Sequence, residues 1–367
     1  MKFQARRLAL ASALALAVTA SGLVPTTARA ATELTFASYL PTAFPISAVN
    51  NWMMDEIEKR TNGEIKFKRF FASTLLKAPD TFPGLASGAA DMAMGAPGAY
   101  NRNDYRLNNF TLPFVTDNAA AGNHAAMDML LNNADLKREF ESRGTVALFA
   151  SMYAENSYWS SKPLKTAADY KGKRIRAVQD IGTAIQKMGG TPVALSYAEA
   201  VEGLPRGVVD AVSSVPMDAA VLGGIHEAAK FGSDGGGLGT FSIGITAINK
   251  ARWDKLTEGQ RTIFRNVMKE ALPRYLDLLN ASLDSAVTKI CDYKGDLVVN
   301  RFSADEKKKL KDTVGKEVHA EWIKWASANG NAGKLLEEYS AAVRKHEATV
   351  KWTPAFDRLA AKKCKVQ

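Results

Sequence analysis

Few residues in this chain have both the type and the setting to do chemistry. The four histidines (His124, His226, His319 and His346) are scattered, with no metal-ligand spacing and no nucleophile beside them. There is no GxSxG, no Walker motif and no paired-carboxylate signature. Ser213-Ser214 is the one hint of a nucleophile, and no base lies near it in sequence. No catalytic residue, metal or cofactor is therefore expected. Arg176 is what remains. It sits near the C-terminal end of an expected strand, Lys173–Val178, where open α/β sheets place their ligands. A guanidinium there grips a carboxylate through two parallel charge-assisted bonds. The other reading is a surface or ion-paired arginine, which is the commoner outcome on position alone.

Positioning Arg176 falls to the stretch from Tyr170 to Pro216, which reads as β-α-β-α-β. Ile181–Met188 has helical length with Gly189 after it, and Pro192–Leu195 is a second strand. Ser196 and Glu199 form a capping box for the next helix, in which each side chain satisfies the other's orphan backbone donor. Val208–Ser213 is the third strand. This grammar occurs twice. Leu204-x-x-Gly207-x-x-Asp210, followed by Pro216, matches Leu85-x-x-Gly88-x-x-Asp91, followed by Pro97, at identical offsets. Upstream of the first copy come a strand at Leu34–Ser38, an amphipathic helix at Ile46–Arg60 and a strand at Glu64–Phe70. The order of elements points to two α/β halves of the same architecture.

Residues 1–30 read as a secretory signal peptide, with Lys2, Arg6 and Arg7 ahead of an apolar run and Ala28-Arg29-Ala30 at the cleavage site. No other stretch is long and apolar enough to span a membrane, so the mature chain is expected to be exported and not membrane-spanning. The formal net charge of +10 falls to +6 without Lys2, Arg6, Arg7 and Arg29. Basic residues are dispersed, Lys307–Lys309 being the one long run, which argues against nucleic acid. Cys291 and Cys364 are either joined to each other in an oxidising compartment or two free thiols.

Between the halves, Asn118–Phe140 reads as helix and Thr145–Ser151 as an apolar strand. Ala154–Lys162 is a candidate first crossing between domains, with the return near Phe231–Ile248, where Gly235–Gly237 supplies a turn. Beyond Trp253 the pattern is helical, with Pro273 expected to end or kink a helix over Glu258–Ile290. Helices at Ser303–Ala328 and Ala332–Lys345 follow, with Trp322, Trp325 and Trp352 as packing anchors. The expected division is a signal peptide (1–30), a first α/β domain (31–153 plus 242–285) and a second (154–241 plus 286–367). The fold class is α/β, a two-domain type II-like binding protein with long C-terminal bracing helices. Such an architecture closes on a ligand by hinge motion.

Several motifs in order make the resemblance specific. They are TNGEIKFKRF at Thr61–Phe70, SGAADMAM at Ser87–Met94, LPF at Leu112–Phe114 and YKGKRIR at Tyr170–Arg176. GGTPVALSYAEAVEGLPRGVVDA at Gly189–Ala211 and AINKARWDKL at Ala247–Leu256 complete the set. Together the chain resembles the solute-binding proteins of tripartite ATP-independent periplasmic (TRAP) transporters, the C4-dicarboxylate-binding type, over residues 31–350. The resemblance implies a periplasmic protein that captures an organic acid and hands it to a membrane permease. It also implies that Arg176 holds the ligand's carboxylate.

Two departures narrow the expected ligand. Ala154–Trp159 has no arginine where relatives with two basic clamps carry one, and Ser213-Ser214-Val215-Pro216 replaces the family's frequent Glu-Asn-Pro. Ser214 offers a hydroxyl but no amide with two donors. Tyr39, Phe44, Tyr158 and Trp159 lie in segments expected to border the ligand, with Asn156, Ser213 and Ser214 orienting it. These residues favour a monocarboxylate with an aromatic or apolar body. A C4-dicarboxylate, a binder from another transport system and an exported hydrolase or transferase are the alternatives.

Overall fold

The computed structural model describes residues 31–366; the expected signal peptide lies outside the described residues. Eleven strands are present among the described residues. They are β1 (Thr32–Ser38), β2 (Ile65–Phe70), β3 (Met92–Gly95), β4 (Thr145–Met152), β5 (Asn156–Ser160), β6 (Arg174–Arg176), β7 (Thr191–Val193), β8 (Ala211–Pro216), β9 (Phe231–Ser233), β10 (Ile243–Asn249) and β11 (Val298–Asn300). They form two sheets, ordered β2-β1-β3-β10-β4 and β11-β9-β5-β8-β6-β7.

The repeated grammar is a repeated topology. β1 lies parallel between β2 and β3, and β6 lies parallel between β7 and β8. Beside β3 and β8 runs an antiparallel strand in each case, β10 and β5. Three of the four matched residue types perform matched tasks. Gly88 and Gly207 have φ of +84° and +68°, a left-handed turn that a Cβ would strain. Asp91 accepts the Thr35 N–H at 2.8 Å, and Asp210 accepts the Arg174 N–H at 2.8 Å. Each aspartate thus ties the chain entering β3 or β8 to the neighbouring central strand. Pro97 opens the helix Pro97–Tyr100, and Pro216 caps the helix Met217–Leu222.

Three segments meet where the chain passes between the sheets. Asn156 N–H donates to the Gly239 carbonyl at 2.9 Å, and Thr240 N–H donates to the Thr116 carbonyl at 2.8 Å. A Cβ on Gly239 would stand 2.3 Å from the Thr116 carbonyl oxygen, so the close approach requires glycine.

Several expectations change. The helix expected over Asn118–Phe140 is two helices, Ala119–Asn132 and Ala134–Glu141, because Asn133 is extended and its side chain accepts the N–H groups of Asp135 and Leu136. The chain between Ser303 and Ala328 forms Ala304–Leu310, a π-helical turn at Lys311–Gly315 and Lys316–Ala326. Pro273 neither ends nor splits its helix, which runs 35 residues from Glu258 to Asp292. Ala271, Leu272, Tyr275 and Leu276 around the proline are buried, and the helix packs on Pro45–Arg60 and on Met217–Leu222. That burial outweighs the lost backbone bond. The C-terminal tail serves both sheets. β11 joins the second, whereas the helix Ala332–Glu347 lies on Ala119–Asn132 against the first.

Cys291, at the end of the long helix, is joined to Cys364 across 73 residues of sequence, with Cα atoms 5.2 Å apart. Replacing both with serine is expected to lower stability by about 2–4 kcal/mol, measured by urea unfolding against the oxidised protein.

Candidate functional site

A cavity opens between the two sheets, lined by residues from both and from the crossing segments. Tyr39 and Phe44 come from the loop after β1, and Tyr100 from the helix Pro97–Tyr100 beside the first sheet. Arg176, Tyr197 and Ser214 come from the second, and Tyr153 and Phe241 from the crossings.

Arg176 ends β6 and is 2% exposed. Its Nε donates to the Leu195 carbonyl at 3.0 Å, and Nη1 donates to the carbonyls of Ser213 at 3.0 Å and Ser214 at 3.1 Å. Nη2 has no hydrogen-bond partner and the side chain no carboxylate partner among the described residues. Burial pulls its pKa below the ordinary arginine value, but a guanidinium remains charged throughout the accessible range. The result is a buried cation fixed by three carbonyls with one edge facing an open cavity. A buried charge in that position wants a counter-charge.

Local irregularity in the sheet aims the arginine. Ser157 pairs with Val215 but Trp159 pairs with Val212, so Ser213 and Ser214 bulge out of the β5–β8 ladder. Ser214 has a φ of +59°, and the bulge turns both serine carbonyls onto Nη1. Asn156 holds the bulge from behind. Its Oδ1 accepts the Ser214 N–H at 2.7 Å, and its Nδ2 donates to the Ser213 Oγ at 3.1 Å. Val178 N–H donates to the Ser214 Oγ at 3.0 Å, tying the bulge to the loop after β6.

The expected site residues therefore divide. Arg176, Ser214, Tyr39 and Phe44 line the cavity. Asn156 and Ser213 stand one layer back and shape it through the bulge. Tyr158 and Trp159 do not reach it. Tyr158 is buried edge-on to Tyr170 at 5.1 Å, and the Trp159 Nε1 donates to the Ser157 Oγ at 2.7 Å. Both belong to the interior of β5, whose side chains are covered on either face. Tyr100, Tyr153, Tyr197 and Phe241 also line the cavity, and nothing in the sequence pattern singled them out. Tyr100 had one available signal, since Pro97 of the repeat opens the helix that carries it.

Aromatic packing makes the walls stiff. Tyr39 meets Tyr100 edge-on at 5.6 Å, and Phe44 meets Tyr197 edge-on at 5.9 Å. Burial raises the pKa of Tyr39, Tyr100, Tyr153 and Tyr197. All four phenols are neutral, and the Tyr197 O–H already donates to the Ala219 carbonyl. The residues lining this cavity include one formal charge, Arg176, and no histidine, cysteine or carboxylate. The serine hydroxyl beside it, Ser214 Oγ, is engaged with Val178 rather than with a base. Such a site can bind an anion and enclose an apolar body.

Comparison with known proteins follows the same line. Residues 36–324 match the family described as bacterial extracellular solute-binding protein, family 7. The 2,3-diketo-L-gulonate-binding periplasmic protein of Escherichia coli is 27% identical over 292 residues, 77% of this chain and 85% of its own length. A TRAP solute-binding protein from Rhodoferax ferrireducens, crystallised with copurified benzoate, has a TM-score of 0.75 at 22% identity, covering 86% of this chain and 99% of that one. One from Bordetella bronchiseptica with bound (R)- and (S)-mandelate has a TM-score of 0.73 at 21% identity, with the same coverage. These structural likenesses establish the fold.

Proposed function

The chain belongs to family 7 of the bacterial extracellular solute-binding proteins, a binding protein rather than an enzyme, and on that premise we propose that its cleft captures an organic monocarboxylate. The observation that carries this reading is the free edge of Arg176, the one charge lining the cavity. A single carboxylate pairs with Nη2, and the neutral phenols of Tyr39, Tyr100 and Tyr153 donate around it. The apolar remainder of the wall, with Phe44, Val215 and Phe241 among its residues, then takes an aromatic or other apolar body. A second carboxylate finds no second cation in the lining, so a C4-dicarboxylate is poorly served. The mandelate and benzoate held by the structural neighbours agree with a ligand of this shape.

Uptake follows from capture. The two sheets are the cores of lobes that close over the ligand about the crossing segments, and the loaded form docks on a TRAP membrane permease. Among the described residues no helix is long and apolar enough to cross a membrane, in keeping with a carrier that hands its cargo on. Calorimetry against benzoate, phenylacetate, mandelate and succinate tests the reading. Tight binding of an aromatic monocarboxylate with weak or absent succinate binding is expected, and the reverse order overturns it.

The bulge gives a second test. Asn156→Ala leaves the buried Ser214 N–H without a partner, a loss of about 1–3 kcal/mol. Because Asn156 does not touch the cavity, the expected signature is roughly tenfold weaker affinity for every ligand tested, with no change in their ranking.

A further inference from the structure

Two loops meet across the mouth of the cleft, and each carries a cavity residue followed closely by a charged one. After the first sheet's β3 comes Tyr100, which lines the cavity, and two positions later Arg102. After the second sheet's β6 come Arg176 and Val178, which line it, and then Asp180. Arg102 Nη2 lies 2.6 Å from Asp180 Oδ1, with side chains 33% and 5% exposed. Beside this pair, Gln179 Nε2 donates to Asn109 Oδ1 at 3.1 Å, joining the same two sides. Gln179 has a φ of +57°, a left-handed conformation costly for a residue with a Cβ, at the turn that presents Asp180. Arg102 is also held from the C-terminal helix Lys316–Ala326, where its guanidinium stacks over the Trp325 ring at 4.4 Å.

We propose that Arg102 and Asp180 are a cross-cleft latch that sets how long a captured ligand stays enclosed. This rests on the reading of the cavity as a closing ligand site. The latch uses no ligand atom. It is coupled to the ligand through chain distance: a molecule bridging Tyr100 and Arg176 holds Arg102 and Asp180 within reach of each other. When the lobes part, both charges return to water, so the pair stabilises the closed form alone. Its loss is expected to act on departure rather than on entry, and equally on every ligand. Arg102 and Asp180 are thus positioning residues rather than ligand contacts.

Benzoate is the probe, followed by stopped-flow protein fluorescence on the full exported chain. Arg102→Ala and Asp180→Asn are each expected to speed benzoate dissociation about ten- to hundredfold, with the association rate nearly unchanged. The double variant is expected to dissociate no faster than the faster single one, because one interaction is removed only once. Arg102→Lys is expected to recover part of the loss. Unchanged dissociation in both single variants, or effects that multiply in the double variant, overturns the latch while leaving the ligand reading intact. Absence of benzoate binding in the unmodified protein instead counts against the ligand reading. The latch is then decided by pulsed EPR on the ligand-free protein, with spin labels on Lys77→Cys and Glu202→Cys. A longer or broader distance distribution on adding Arg102→Ala supports it, and an identical distribution overturns it.

Discussion

Arg176→Met is expected to abolish measurable carboxylate binding without destabilising the empty protein. Truncating one partner of a buried charge pair typically costs about 3–5 kcal/mol, a loss of roughly a hundred- to several-thousandfold in affinity. In the empty cleft two effects compete. Removing the guanidinium takes hydrogen bonds from the carbonyls of Leu195, Ser213 and Ser214, each worth about 1.5–3 kcal/mol with a charged donor. It also removes a buried charge with no carboxylate beside it, whose effective desolvation penalty is several kcal/mol. The two effects are of similar size and opposite sign, so the ligand-free variant should melt close to the unmodified protein. Isothermal calorimetry and a thermal melt on one preparation decide both halves. Retained affinity for the monocarboxylate would remove the clamp from the account.

Glu155→Gln is expected to stabilise the protein above neutral pH by about 3 kcal/mol and to change little near pH 4. Glu155 lies between β4 and β5, buried at the crossing, and its Oε1 accepts the Ala355 N–H. Its Oε2 is buried without a partner. Desolvation, the largest cause, pushes its pKa up to about 7. A carboxyl whose folded pKa exceeds its unfolded value binds its proton more tightly when folded. Its contribution is therefore fully present below about pH 4.5 and is lost as pH rises through about 7. Glutamine keeps the accepting oxygen and cannot ionise. Histidines whose pKa values are lowered by burial, His124, His226 and His319, oppose the trend in the unmodified protein, but they are common to both proteins and cancel in the difference. Urea unfolding at a series of pH values measures the effect, and a difference independent of pH would contradict it.

The architecture was legible because its signals are backbone signals. Gly88 and Gly207 mark left-handed turns, Asp91 and Asp210 make the same backbone contact, and Pro97 and Pro216 begin the next helices. Each residue type has a strong positional preference, so a faint repeat was enough. Arg176 was legible for a related reason, since the end of a strand has a definite place in an α/β sheet. The rest of the site was not. Tyr100 ends one short helix, Tyr197 begins another and Tyr153 lies in a crossing, and only tertiary folding brings their phenols into one cavity. Tyr158 and Trp159 were placed in the cavity by proximity in sequence. The bulge at Ser213-Ser214 breaks the register of their strand, and both rings pack inside. At Pro273 the break that a local rule about proline allows does not occur, because the long helix continues on the buried face by which it packs.

Strand order also governs when this protein can fold. β10 separates β3 from β4 in the first sheet, yet it is synthesised more than ninety residues after Met152 ends β4. The second sheet waits longer still, since its edge strand β11 lies at Val298–Asn300. Neither sheet can be completed in a nascent chain. Early collapse is therefore limited to local β-α-β pieces, and long-range pairing is deferred until the chain is nearly finished.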